Sequence, residues 1–590
     1  MIDLGRGVTD LLGPATRREW LVTNGLGGYA AGTVGGPRTR CYHGLLVAAT
    51  DPPLGRTLLA SHVDETIRYD DRDYALAAHE WADGTVAPRG FVHLDRFHLE
   101  GTVPVWTYAC GDALLEKRVW MEPGAPTTYV QYRLARARRP LTLRVEGFVN
   151  HRSHHATTEA GDWEMNVAPV EHGLRVQAYD GATPVFVRSA AASIRPAHTW
   201  YRNFHLATEA ARGLDHRDDA LHAATAEAHL SPGEALTLTF SVEADAALDG
   251  PGGRSRRAER DEALVERAGL GAAPPDVQHL ARAADQFLVD RPTEDDPDGQ
   301  SVIAGYPWFG DWGRDTMIAL PGLTLATGRP DVAAQILRTY GRYVDQGMIP
   351  NRFPGAGQTP EYNTVDATLW YVEALRAYVD ATGDTALLAD LWPVLVDIVD
   401  HHERGTRYGI AVDPEDGLLR AGEPGVQLTW MDAKVNDWVV TPRIGKPVEV
   451  NALWYNALRS LAQMADAIDR TGTPYDERAE QVATHFDRYW DGEREHLRDV
   501  IDGPDGDDPI LRPNQLFAVS LPHSPLSAAR QEAVVDVCAA RLYTPLGLRS
   551  LAPDHPDYAG TYAGGREARD GAYHQGTVWS WLVGPFVEAH

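Results

Sequence analysis

Asp249-Gly-Pro-Gly-Gly-Arg-Ser-Arg-Arg257 divides this chain into two texts of different period. Upstream of it, from residue 20 to about residue 245, short apolar runs are separated by Gly, Pro and Asp turns. Gly44-Leu-Leu-Val-Ala-Ala49, Thr102-Val-Pro-Val-Trp-Thr-Tyr108, Leu141-Thr-Leu-Arg-Val-Glu-Gly-Phe-Val149 and Ala235-Leu-Thr-Leu-Thr-Phe-Ser-Val242 read as strands. They predict an N-terminal antiparallel β-sandwich domain over 1–250. The Gly, Pro and Arg composition of 251–270 reads as a linker. Beyond it the apolar residues recur at helical spacing, which predicts helices at 276–289, 315–327, 330–346, 364–381, 385–404, 447–470, 476–490, 512–521, 527–540 and 573–590. Helix pairs joined by unequal loops predict α-hairpins packed side by side, so 271–590 is expected to form an (α/α) toroid with its chemistry on the long-loop side.

A chain of 590 residues is long enough for more than one core. Its net charge of −28 excludes the clustered Lys and Arg that nucleic acid or an anionic membrane would require, and a neutral ligand suits it better. The three cysteines, Cys41, Cys110 and Cys538, offer neither a disulfide framework nor a metal-binding pair. No basic leader precedes an apolar run, and no apolar stretch reaches the length of a membrane span, so a cytoplasmic location is expected.

Three patches carry the chemistry. Tyr306-Pro-Trp-Phe-Gly-Asp-Trp-Gly-Arg-Asp315-Thr packs aromatic rings, two carboxylates and a guanidinium into one Gly-punctuated loop that opens a helix. Aromatic faces stack on the C–H faces of a pyranose, while Asp and Arg supply the planar, paired hydrogen bonds that vicinal hydroxyls need. Leu428-Thr-Trp430-Met-Asp432-Ala-Lys434 and Ala572-Tyr-His574-Gln575-Gly-Thr-Val-Trp579 repeat the mixture, which points to one shared carbohydrate pocket. Asn24-Gly-Leu-Gly-Gly28 lacks the ending of a phosphate loop and reads as a turn. His151-Arg-Ser-His154-His155 lacks the carboxylate or Cys that would complete a metal site, so neither a metal nor a cofactor is expected.

Trp20-Leu-Val-Thr-Asn-Gly-Leu-Gly-Gly-Tyr29 with Arg38-Thr-Arg40-Cys-Tyr-His43 resembles the amino-terminal signature of bacterial and archaeal glycogen debranching enzymes, and Gly310-Asp-Trp-Gly-Arg-Asp315 resembles their catalytic-domain signature. Pro360-Glu-Tyr-Asn-Thr-Val-Asp366, Trp430-Met-Asp432, Val448-Glu449-Val-Asn451, Arg512-Pro-Asn-Gln515 and His574-Gln575-Gly-Thr-Val-Trp579 continue the similarity in order. The resemblance implies a β domain followed by a six-hairpin (α/α) barrel. It implies an amylo-α-1,6-glucosidase that removes the single-glucose branch stub of a glycogen limit dextrin, with limit dextrin, glycogen and maltooligosaccharides as partners. The eukaryotic relatives add a separate transferase barrel, for which this chain has no room, so transferase activity is not expected. The competing expectations are another exo-acting (α/α)-barrel α-glucosidase, trehalase-like in its substrate, and a catalytically inert glycan-binding protein.

Inverting hydrolysis needs a protonated carboxyl and an ionised one about 6.5–9.5 Å apart. The similarity assigns Asp432 as general acid. Trp430 and Met431 would exclude water and raise its pKa, Lys434 would pull the other way, and an Asp in an ordinary loop turn is the structural alternative. The family continues past His-Gln-Gly-Thr-Val-Trp with further helices and a Ser-Glu-Ile-Phe-Asp-Gly-like segment that supplies the base. This chain stops at His590, so the last hairpin is expected to be missing, and the position of the eukaryotic Glu after His-Gln-Gly is here Val578. Glu361 is the fallback base. Asp311, with Arg314 beside it, is expected to bind the hydroxyls of the terminal glucose, between Trp308 and Trp312. Asp315 is a binding candidate or a helix cap. Asp366 and Glu449 are binding candidates or helix-dipole partners. His574 and Gln575 are expected to open the last helix as pocket floor, with Trp579 beside them.

Overall fold

Along Leu141–Ser153, Leu141, Leu143 and Val145 are buried while the residues between them are not, as a strand with one covered face requires. The computed structural model describes residues 2–293, 296–353 and 359–590. Such strands build two antiparallel sheets. The nine-stranded sheet runs in the order Asp3–Gly5, Leu94–Glu100, Val103–Cys110, Ala113–Met121, Thr127–Arg136, Ala235–Ser241, Val185–Arg188, Gly173–Gln177 and Asn166–Val170. The eight-stranded sheet runs Ser193–His205, Arg217–Leu230, Leu141–Ser153, Leu54–Tyr69, Gly44–Asp51, Tyr29–Thr33 and Glu19–Thr23, with Arg72–Ala75 on the long strand Leu54–Tyr69. Inward residues of both sheets share one core, where Leu46, Val63, Ile67, Leu143 and Leu221 meet Leu115, Val119, Tyr132, Leu236 and Phe240. Each such aliphatic side chain contributes about 1.5–3 kcal/mol by leaving water. Glu65 also points into this core. It is held there by the Tyr132 hydroxyl at 2.7 Å and the Lys117 ammonium at 2.6 Å, the pairing a buried carboxylate needs.

The expected linker is a helix. Gly250–Arg267 is helical, with Asp249 accepting from Gly252 N–H at 3.0 Å and a proline in its first turn. Arg257 and Asp261 are buried against the nine-stranded sheet, where Asp261 Oδ2 accepts from Thr102 N at 2.7 Å and its Oγ1 at 2.8 Å. A capping Asp followed by Gly-Pro looks like a loop in sequence because the same residues start helices. The junction moves accordingly: one compact unit comprises residues up to Gly310 together with Ala326–Arg329, the other Asp311–Leu325 together with Pro330–His590.

The second unit is mainly helical. Its helices include Gly313–Leu323, Pro330–Arg342, Asp366–Thr382, Thr385–Arg404, Val448–Ala467, Thr473–Phe486 and Ala528–Arg541. Val448–Ala467 is buried nearly all round, whereas Thr473–Phe486, packed on it, buries little more than Ala479, Val482 and Phe486. That contrast separates an inner from an outer layer. Gly383, at φ 69°, ends one helix, and Asp384 starts the next by accepting from Ala386 N at 3.0 Å and Leu387 N at 3.1 Å. The expected helix 573–590 is different: helix Arg566–Ala572 ends before a loop carrying His574 and Gln575, then comes the short strand Val578–Trp579, and only Val583–Ala589 is α-helical again. Gly576, at φ 132°, breaks the run, and a Cβ there would meet Ala559 O at 2.7 Å. Among the described residues no helix is long and apolar enough to cross a membrane.

Candidate active site

Arg314 organises the second unit's polar centre. It sits in the first turn of Gly313–Leu323, whose start is fixed by Gly313: its N–H donates to Asn351 O at 2.8 Å, and a Cβ would strike Pro350 O at 2.2 Å. From there the Arg314 Nε donates to both oxygens of Asp366, at 2.9 and 3.0 Å. Nη1 donates to Asp432 Oδ2 at 3.1 Å, and Nη2 to Leu428 O at 3.3 Å. One guanidinium thus joins all three of these segments, separated by 52 and 118 positions in sequence. Asp366 is buried, and the Arg314 guanidinium beside it supplies the partner that a buried carboxyl needs.

Asp315, beside Arg314 on the same turn, is no helix cap: Trp312 holds the N-cap position without a side-chain bond. It keeps contact with solvent while protein surrounds it. Burial raises its pKa to about 6 against the pull of Arg314, and the charges of Asp432 and Asp366 add to the rise. Asp432 behaves alike. Its side chain is 39% exposed, yet burial lifts its carboxyl above the usual range, Arg314 opposes this, and Asp366 reinforces it. Three acidic side chains surround one guanidinium, an excess of acidic groups that pushes the pKa values of Asp315 and Asp432 upward.

That excess makes a test. A carboxyl whose pKa is about 6 folded and about 3.9 unfolded costs the fold nothing while both states are protonated, and its penalty grows as pH rises between those values. Asp315→Asn is expected to raise the Tm by about 1–3 °C at pH 7.5, with the gain fading toward pH 4, read by differential scanning calorimetry.

The loop bearing Asp432 is clamped from the far end of the chain. Trp430 donates Nε1–H to Asn514 Oδ1 at 2.7 Å and meets His574, Trp579 and Trp581 edge-on at 5.3, 5.5 and 5.2 Å. His574 stacks on Trp579 at 5.2 Å and accepts from Ala433 N at Nδ1, 3.4 Å away. Burial and the charges of Arg512, Arg314 and Arg443 keep that imidazole neutral, its pKa well below the usual value. Gln575 is engaged at both ends, accepting from Arg512 at 2.9 Å and donating to Val440 O at 3.0 Å. These three residues hold the loop in place, His574 buried and Gln575 and Trp579 partly exposed.

Behind them lies a buried network that the sequence did not announce. Arg443 donates to Glu449 with Nη1 and Nη2, and to Asp499 at 2.8 and 3.0 Å; Asn514 donates to Asp499 at 2.7 Å and so links the network to Trp430. Glu449, expected as a sugar ligand, has both oxygens committed here and is 1% exposed. Only the quoted Arg512-Pro-Asn-Gln515 motif hinted at this arrangement, through Asn514.

The remaining candidates part ways. Asp311, expected to bind the hydroxyls of the terminal glucose, is buried, 1% exposed, two residues before the helix Gly313–Leu323. Trp308 belongs to the first unit, under the Arg40 guanidinium at 5.2 Å and edge-on to Tyr42 at 6.2 Å. Lys434 is exposed and donates to Gly425 O at 2.9 Å, turned to its own loop. Trp312 is half-buried and bridged by its backbone to Arg352, which in turn bridges Glu361. Glu361 is half-exposed, 3.4 Å from Arg352, at the edge of the same helix start.

Residues 282–590 match the family model described as amylo-alpha-1,6-glucosidase, and residues 18–237 the model described as glycogen debranching enzyme N terminal. The glycogen debranching enzyme of Saccharomyces cerevisiae is 27% identical over 386 residues, covering 49% of this chain and 25% of the yeast protein. The chain therefore spans about a quarter of the length of that relative.

Proposed function

Since the chain belongs to the glycogen debranching enzyme family and carries its amylo-α-1,6-glucosidase domain, we propose that it hydrolyses the α-1,6-linked glucose stub of a glycogen limit dextrin by an inverting mechanism. The observation that carries this reading is the contact of Arg314 with Asp432 and Asp366 in one partly accessible, negatively overcharged cluster. In the proposed reaction Asp432 gives its proton to the glycosidic oxygen as the C1–O6 bond breaks. A water adds its oxygen to C1 from the opposite face and loses its proton to a second carboxylate, so that β-glucose leaves. Arg314 holds the Asp432 side chain in place, and Asp315 is proposed to bind sugar hydroxyls at the accessible side. Glu361 is the proposed base. Its place one bridge beyond Arg352 and Trp312 supports that role. The helical region is read as the six-hairpin (α/α) barrel that the glucosidase domain implies, a reading supported by its inner and outer helix layers. Glycogen is the proposed macromolecular partner. Three buried free thiols, Cys41, Cys110 and Cys538, suit a reducing cytoplasm.

The test is release of glucose from phosphorylase limit dextrin, followed by proton NMR of the anomeric signal as it forms. Initial accumulation of β-glucose is expected, with slower turnover of trehalose and maltose. Initial α-glucose, or faster turnover of trehalose, would overturn the reading.

A further inference from the structure

We propose that His62, Asp64 and His79 form a binding site for a divalent transition-metal ion of the zinc type, clipping the hairpin Ala78–Glu80/Val86–Arg89 to the eight-stranded sheet. His62 and Asp64 are alternate residues of the strand Leu54–Tyr69, so they project from the same face, and His79 reaches them from the hairpin. One ligand atom from each lies within 4.8 Å of the others. Asp64 Oδ1 is 2.8 Å from His79 Nε2 and 3.7 Å from His62 Nε2, separations that bracket the roughly 3.3 Å between ligands bound about 2.0 Å from a tetrahedral zinc.

His62 itself points to a ligand. It is nine-tenths buried, yet its Nε2 has no hydrogen-bond partner among the described residues, an arrangement that is unfavourable unless something completes it. Its ring is fixed in the pose a metal ligand needs. Nδ1 lies 2.8 Å from Ser61 Oγ, the outer contact typical of ligating histidines, and the imidazole stacks on Phe148 at 4.3 Å. The nearby cations are themselves paired, Arg38 with Asp218 at 2.7 Å and Lys117 with Glu65 at 2.6 Å, which blunts their repulsion of an ion. A cavity of about 70 Å³, lined by Arg38, Ser61, His62 and His79 among others, leaves room beside the ligands. On binding, the His79–Asp64 hydrogen bond gives way: the His79 ring carries its proton on Nδ1 instead of Nε2, and both His Nε2 lone pairs and a carboxylate oxygen bond the metal.

The experiment titrates the chelator-treated, full-length protein with Co²⁺ and reads its visible ligand-field absorption, then displaces it with Zn²⁺. One Co²⁺ per chain is expected. Binding is expected to disappear in His62→Gln and Asp64→Asn and to weaken about 10–100-fold in Ser61→Ala, which keeps every ligand. Near-UV circular dichroism identifies any variant that has not folded, and Ser61→Ala then carries the comparison. A wild-type protein without the Co²⁺ band, or a band of equal intensity and affinity in all three variants, would overturn the proposal.

Discussion

Asp432→Asn is expected to lower kcat on limit dextrin by about 10²–10⁴-fold, the contribution of a positioned general acid, while the protein stays folded. Folding survives because the amide oxygen can still accept from Arg314 Nη1 and because Trp430, two residues before it, is held by Asn514 and three aromatic rings. The diagnostic is the leaving group. From α-glucosyl fluoride the leaving group is fluoride, which departs as the C1–F bond breaks without needing a proton, so hydrolysis of this substrate by Asp432→Asn is expected to fall far less than that of dextrin. Equal losses on both substrates would mean that Asp432 serves binding and donates no proton. The pH profile gives an independent readout. In the proposed mechanism the working form is the protonated carboxyl, whose pKa is raised, so dextrin activity is expected to decline as pH rises through that pKa and this limb to vanish in the variant.

Arg443→Met is expected to cost about 3–5 kcal/mol of stability, measured by urea unfolding, since it leaves two buried carboxylates facing each other without their cation. Glu449 and Asp499 side chains are 2% and 1% exposed, so neither can turn to water. Adding Glu449→Gln to the same chain removes one uncompensated charge. The double variant should therefore be more stable than the sum of the single effects by over about 1 kcal/mol. Strict additivity would exclude the electrostatic account. Activity falls with stability in this series because Asp499 also fixes Asn514, and Asn514 fixes Trp430.

Local pattern made the two architectures readable. The alternation in Leu141–Ser153 and the helical spacing in Val448–Ala467 are properties of one element each, and both elements stand where the text put them. The Gly-Asp-Trp-Gly-Arg-Asp and Trp-Met-Asp patches were legible for the same reason, and Arg314 does reach Asp432. What was not legible depends on partners far along the chain. Nothing at Glu449 in the sequence announces that Arg443 will take both its oxygens, with Asp499, 56 positions beyond Arg443, completing the pair. Asp311 looked free because a Gly and a Trp flank it, yet burial is decided by what packs over the loop. At 250–267 the difficulty was chemical ambiguity, since Asp-Gly-Pro starts both turns and helices. The His62, Asp64 and His79 cluster escaped because its third member arrives from a neighbouring hairpin.

Ala433, next to Asp432, rests on His574, 141 positions further along the chain. Synthesis runs from the amino terminus, so Asp432 is translated well before the ring that steadies its neighbour. Under the proposed mechanism, nascent or prematurely terminated products that stop before residue 574 would carry Asp432 without this restraint.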